Sequence, residues 1–297
     1  MALIYYLPDE IEIEANEGET ILLAALRAGI AHACLCGGHA RCSSCRVIII
    51  EGLENCASPN PEEQAIAEML RLEPQVRMAC QTVVTGKVKL RRLVTDILED
   101  VDLTIAVEKY TLIFFSDIRR FTFFAESLLP YDVIHVLNLY FQKVGEVIGR
   151  HGGVINNYMG DGFMALFEAD DPPEGALRAI RAGLDLLDAV HKLEPYLEEL
   201  YDKSFQIRIG LHFGQVVVGK VGSPGNKKMT VIGDSVNFAC RIEAANKRAG
   251  TQFLISEDTY TLVEAQVRVG RRVCLPLPGK TGKYCLYEVA GLIDSNS

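Results

Sequence analysis

Two aspartates stand where a carboxylate could hold a hard cation. Asp117 follows an apolar run in Phe114-Phe115-Ser116-Asp117-Ile118-Arg119-Arg120-Phe121-Thr122, and Asp161 lies between glycines in Asn156-Asn157-Tyr158-Met159-Gly160-Asp161-Gly162-Phe163. Mg²⁺ takes oxygen ligands and keeps positions open for substrate phosphates, so paired aspartates suit phosphoryl chemistry. Taken singly, Asp117 reads more simply as a helix cap and Asp161 as a turn residue. A second set of side chains could hold iron. Cys36, Cys42 and Cys45 give C-x₅-C-x₂-C in a loop rich in small residues, and Cys80 could close the set from a distant strand. Iron–sulfur clusters need convergent thiolates, with small residues between them so that backbone amides approach the sulfurs. Zinc is the alternative, but its usual signature is a pair of C-x₂-C knuckles, and one is present. Cys34 and Cys56 read as small packed or loop residues, and His32 and His39 border the loop.

The elements that must position these groups follow from periodicity and punctuation. Residues 110–115 are β-branched and aromatic, which predicts a strand giving way at Asp117, and 163–167 predict another. Gly160-Asp161-Gly162 then predicts a tight hairpin turn, setting both aspartates at the ends of adjacent strands. Leu128-Leu129-Pro130-Tyr131 divides two helices, the second running through Ile148 to a stop at Gly152-Gly153. A long helix is expected from 173 to about 201, then strands over 205–212 and 215–221. Asp234 or Ser235 is expected to cap a helix that runs to about Arg248 and stops at Gly250. Asn237 and Arg241 are four apart on it and share a face, where an amide beside a guanidinium could hold a ribose and stabilise a charged phosphorane.

Before residue 95 the expected elements are short. Strands over 3–6 and 11–14 flank Pro8-Asp9-Glu10, and Thr20 caps a helix with Ile21, Leu22, Ala25 and Leu26 as its apolar face. A strand over 47–51, a helix opened by Pro61 and two strand-like runs over 76–90 complete the set. Residues 91–106 lack Gly and Pro and carry Leu93, Ile97 and Val101 at helical spacing, which predicts an ordered helical connector. The expected domains are 1–90, 91–106 and 107–292.

A length of 297 residues fits two domains with cores of their own, and the formal charge of −9 argues against nucleic acid as a partner. No apolar run approaches the length of a membrane span and Met1-Ala-Leu-Ile-Tyr-Tyr-Leu has no basic n-region, so a cytoplasmic protein is expected. Six of the nine cysteines fall in the first third, which without a secretion signal points to metal rather than disulfides.

Phe-Ser-Asp-Ile-Arg-Arg-Phe-Thr, Asn-Tyr-Met-Gly-Asp-Gly-Phe-Met-Ala-Leu-Phe and the stretch Met229 to Arg241 resemble, in this order, segments of class III nucleotidyl cyclases. The cluster loop with Arg77-Met78-Ala79-Cys80-Gln81 resembles [2Fe–2S] ferredoxins, nearer the adrenodoxin spacing than the plant one. The resemblance implies an α+β chain: a β-grasp ferredoxin domain followed by a cyclase sandwich with a ferredoxin-like βαββαβ core. It implies Asp117, Asp161 and the backbone carbonyl of Ile118 as ligands of two Mg²⁺ or Mn²⁺ ions per site, and Cys36, Cys42, Cys45 and Cys80 as cluster ligands. Asn237 and Arg241 would act in catalysis from the opposite subunit, so a head-to-tail homodimer is implied. Phe121, Thr122 and Lys280 would contact substrate, with Lys280 at the terminal phosphates. Lys220, Lys227 and Lys228 read as pocket-rim charges.

The implied reaction is attack of the ribose 3′-hydroxyl of ATP on the α-phosphate, giving cyclic AMP and pyrophosphate. The family's base-selecting pair looks here like Asn157 and Thr230. Thr230 fits adenine, whereas an amide at 157 both donates and accepts and fits neither purine pattern. The ferredoxin domain would modulate the output and meet a redox partner. The alternatives are a cyclase of relaxed purine selectivity, or a non-catalytic redox or nucleotide-binding protein using the cyclase fold as a dimerisation platform.

Overall fold

The computed structural model describes residues 2–7, 9–94, 106–223 and 226–293. The chain divides into two compact units, Met1–Val107 with Gly219–Lys228, and Glu108–Val218 with Met229–Ser297.

In β1 (Ala2–Leu7) every second side chain, Ala2, Ile4 and Tyr6, is buried, the period of a strand with one face in a core. β2 (Ile11–Ala15) pairs antiparallel with it. α1 (Ile21–Arg27) is capped as expected, the Thr20 hydroxyl accepting from the Leu23 amide at 3.3 Å. Its buried face is Ile21, Leu22, Ala24 and Ala25. Leu26, expected inside, is 49% exposed, because the i, i+3, i+4 stripe of so short a helix falls on 21, 24 and 25. After β3 (Arg46–Glu51), α2 (Pro61–Leu70), β4 (Val76–Met78) and β5 (Lys87–Arg92), the sheet order is β2-β1-β5-β3-β4. β1 and β5 are parallel and the other pairs antiparallel, a β-grasp arrangement. β5 takes Arg91 and Arg92, which the sequence assigned to a helical connector; residues 95–105 of that connector lie outside the described residues.

The second unit opens with β6 (Val107–Ile118), α3 (Phe121–Ala125), α4 (Pro130–Arg150), β7 (Gly153–Met159), β8 (Gly162–Glu168), α5 (Pro172–His191), α6 (Glu194–Tyr201) and β9 (Ile207–Ser223). These run βαββαβ and lie in the order β9-β6-β8-β7, the ferredoxin-like core that was expected. β10 (Asn226–Ile232) pairs with β9, and α7 (Asp234–Ala249), β11 (Phe253–Ser256), α8 (Glu257–Val263), β12 (Val267–Leu275) and β13 (Tyr284–Leu292) extend the sheet on the β9 side. One face packs Leu112, Phe114 and Ile118 against α4 and α5, and Ile113 and Phe115 pack against Ala239 of α7 on the other. The period of two therefore turns Asp117 toward the α7 side.

Three local expectations change. The helix expected over 173–201 is two, because Pro195 lacks an amide N–H and its ring disfavours a continuous helix through the turn before it. The strands expected over 205–212 and 215–221 are one strand, β9. Neither Asp234 nor Ser235 caps α7; Gly233 holds that position without a side-chain bond, and the Asp234 carboxylate is engaged by Lys280 instead. Among the described residues no helix is long and apolar enough to cross a membrane.

Candidate active site

Register brings the two aspartates together. Ser116 pairs with Phe163 and Met159 with Gly162, which leaves Gly160 and Asp161 as a two-residue hairpin loop. Gly160 takes φ +67°, the left-handed conformation such a loop requires at its first position and glycine adopts without strain. Asp117 and Asp161 thus meet at one end of the sheet and hydrogen-bond to each other. Burial first, then the hydrogen bond and charge of Asp117, push the Asp161 carboxyl up to about 6. Oxygen ligands that share a proton when alone suit a divalent cation, which replaces the proton. Ile118 closes β6 directly after Asp117 with its side chain buried. Phe121 and Thr122 open α3, the phenyl ring against the core and Thr122 exposed.

Two charged features escaped the sequence reading. Arg119, Arg120, Arg208 and Lys247 line a cavity of about 430 Å³. The arginines beside Asp117 were a signal; Arg208 and Lys247, remote in sequence, were not legible there. The other is Glu243, on the inner face of α7 and 9% exposed, whose Oε1 is buried without a hydrogen-bond partner. Burial first, then the charge of Asp117, push its carboxyl up to about 7, with Arg208 opposing and Asp161 adding to the rise. α7 rides directly on β9 here: a side-chain carbon at Gly210 would stand 2.2 Å from the Glu243 nitrogen, so only glycine permits the approach.

Of the remaining expected residues, Asn237 and Arg241 lie on α7. Asn237 is exposed and Arg241 half-buried one turn on. The Arg241 guanidinium comes up to Gly279, and Lys280 pairs with Asp234 and stands 5.6 Å from the Phe238 ring centroid. Among the described residues no hydrogen bond or ion pair joins Asn237, Arg241 or Lys280 to Asp117 or Asp161. Asn157 is exposed on β7 beside a bulge, where the register shifts between Ile155 and Asn157, and Thr230 is half-buried on β10. Bulges re-aim the side chains next to them. Lys220 lies on β9 and Lys227 and Lys228 on β10.

In the first unit the thiols act on one another in two pairs, Cys36 with Cys42 and Cys45 with Cys80. Burial raises Cys36, but the Arg41 amide, the Cys42 thiol and the Gly38 and His39 amides together carry it below the ordinary thiol value. Cys80 is lowered to about 6, chiefly by the Cys45 thiol, with Gln81 and the Ala40 amide assisting against burial. Amides aimed at sulfur are what a bound iron–sulfur cluster requires. Gln81 ties the segments, its Nε2 donating to Gly38 O at 2.8 Å and Cys80 Sγ at 3.4 Å. Cys34 feels the charges of Cys36, Cys80 and Cys42, yet it and Cys56 pack against the core, as expected of small apolar residues. His32 is buried with Nε2 3.3 Å from the Cys45 carbonyl, and burial lowers it to about 4. The expectation of metal rather than disulfides does not extend to the second unit, where Cys274 and Cys285, facing across β12 and β13, are bonded.

Residues 104–291 match the family described as the adenylate and guanylate cyclase catalytic domain, and residues 4–85 match the 2Fe-2S iron-sulfur cluster binding domain. An adenylate cyclase of Anabaena cylindrica is 32% identical over 198 residues, 65% of this chain and 39% of that protein. The chain thus spans well under half of that relative's length. The solved guanylyl cyclase Cya2 is 32% identical with a TM-score of 0.59, covering 64% of this chain and 96% of that one. The adenylyl cyclase CyaB of P. aeruginosa is 27% identical with a TM-score of 0.58, over 64% and 96%. The chain therefore belongs to the adenylate and guanylate cyclase catalytic domain family and carries a 2Fe-2S cluster binding domain ahead of that region.

Proposed function

We propose that two copies of this chain, arranged head to tail, convert ATP to 3′,5′-cyclic AMP and pyrophosphate. The observation that carries this reading is the hydrogen-bonded Asp117–Asp161 pair, close in sequence to a cavity lined by Arg119, Arg120, Arg208 and Lys247. With the Ile118 carbonyl, the two carboxylates would hold Mg²⁺ or Mn²⁺. A bound cation supplies charge neutralisation on the phosphate and a lowered pKa for the ribose hydroxyl. The guanidinium groups offer forked donors to the phosphate oxygens. Asn237 holds the ribose and Arg241 stabilises charge on the α-phosphate, both from the second chain. Within one chain neither is joined to the aspartates, which supports that division. Lys280 reaches the terminal phosphates on exchanging Asp234 for substrate, and Phe121 and Thr122 line the approach.

Thr230 supports adenine, and no glutamate stands at 157 to accept from guanine. Asn157 serves as a donor and acceptor at the base edge. Of the two solved relatives described above one is a guanylyl and one an adenylyl cyclase, and the selectivity of this chain is read from Asn157 and Thr230. We further infer that Cys36, Cys42, Cys45 and Cys80 hold a [2Fe–2S] cluster whose oxidation state modulates turnover. The test is product formation from ATP and from GTP by anaerobically purified protein with Mg²⁺ or Mn²⁺. Cyclic AMP that disappears in Asp117→Ala supports the reading; no cyclic product from either nucleotide overturns it.

A further inference from the structure

Glu243 is the one acidic side chain of α7 that is both buried and left with an unpartnered oxygen, Oε1. A buried carboxylate oxygen without a donor is costly, and the cost persists only where something else meets it. The charges that act on it are those of Asp117 at the end of β6, Arg208 on β9 and Asp161 in the β7–β8 loop. The close approach of Gly210 to the Glu243 nitrogen and Cα fixes the helix backbone at this point. Among the described residues Glu243 does not form a three-ligand group with Asp117 and Asp161, while the charge of both aspartates acts on its carboxyl. A buried, unpartnered oxygen within reach of the charge of a carboxylate pair suits a group that meets water bound to a cation. Outer carboxylates of this kind orient what the ligands hold.

We propose that Glu243 is a positioning residue of the divalent-cation centre, its unpartnered Oε1 accepting a hydrogen bond from a cation-bound water and so fixing the cation against Asp117 and Asp161. The inference rests on the reading of Asp117 and Asp161 as cation ligands. It is tested by Mn²⁺ titration of the full chain, following free Mn²⁺ by electron paramagnetic resonance, in wild type, Glu243→Gln and Asp117→Asn, with thermal melts alongside. The expected result is Mn²⁺ binding about tenfold weaker in folded Glu243→Gln and lost in Asp117→Asn. Metal-free Glu243→Gln should melt no lower than wild type, since a neutral amide relieves repulsion by Asp117 and Asp161; a purely structural carboxylate would leave Mn²⁺ affinity alone and lower the melt. Wild-type affinity in folded Glu243→Gln, with binding lost in Asp117→Asn, overturns this inference alone. Undiminished binding in both variants removes the cation reading as well. Should the glutamine variant not fold, Glu243→Asp decides, because it keeps the charge and withdraws the oxygen by one methylene: weaker Mn²⁺ binding supports the role and unchanged binding ends it.

Discussion

Asp161 and Glu243 are carboxyls held well above their ordinary values of 3.8 and 4.5, at about 6 and about 7. Burial is the larger cause in both, with the charge of Asp117 added to each. Because both folded values stand above the unfolded ones, the protonated groups stabilise the cation-free fold at low pH. That contribution is lost as the pH rises through the folded values. The cation-free melting temperature should therefore fall between about pH 5 and about pH 8. A divalent cation binds the deprotonated pair and should restore the melt most at the upper end of that range. Calorimetry with EDTA and with Mg²⁺ across this range checks both signs, and a cation effect that shrinks as the pH rises would contradict the assignment.

Among the elements, α2 and the segment bearing Cys80 are clamped by one buried ion pair. Glu63 accepts from Arg77 Nε and Nη2, each at 2.9 Å, and from the Met78 amide at 2.8 Å, with both side chains almost wholly buried. Arg77 also donates to the Ala57 carbonyl at 2.8 Å, so the segment bearing Cys80 is held from both sides. Removing one partner of a buried pair leaves an uncompensated charge and costs about 3–5 kcal/mol. Glu63→Ala should accordingly lower the temperature at which visible cluster absorption bleaches, together with the circular-dichroism melt of the strands. An unchanged bleaching temperature would show that Cys80 is held by other means. α7 plays the corresponding part in the second unit, carrying Glu243 buried, Asn237 exposed and Arg241 half-buried.

For the whole molecule, the division of site residues makes a quantitative prediction. Asp117→Ala and Arg241→Ala homodimers should each be inactive. In a head-to-tail dimer of one copy of each, one site carries both lesions and the other none. Random mixing makes half the dimers mixed, so roughly a quarter of wild-type turnover should return. Gel-filtered mixtures assayed for cyclic AMP check this, and a mixture that stays inactive would show that each chain supplies its own complete site. The cluster-binding unit makes a second prediction. Turnover should differ between air-oxidised and dithionite-reduced protein, and equal rates would leave the cluster without a regulatory part.

The sequence by itself determined the elements whose causes are local. Apolar runs specified β1 and β8, Thr20 specified the start of α1, and Gly160-Asp161 specified the hairpin that brings Asp161 to Asp117. These follow from side-chain period and backbone sterics acting over a few residues, and the family's motifs were legible for the same reason. Tertiary structure decided what depends on distant neighbours. Gly233 rather than Asp234 holds the α7 cap, and the Asp234 carboxylate meets Lys280, far along the chain. Arg208 joined Arg119 in one cavity and Glu243 came to lie near Asp117 only once β6, β9 and α7 had packed. Burial and mutual charge, which set the protonation of Asp161 and Glu243, are properties of that packing and of no stretch of sequence.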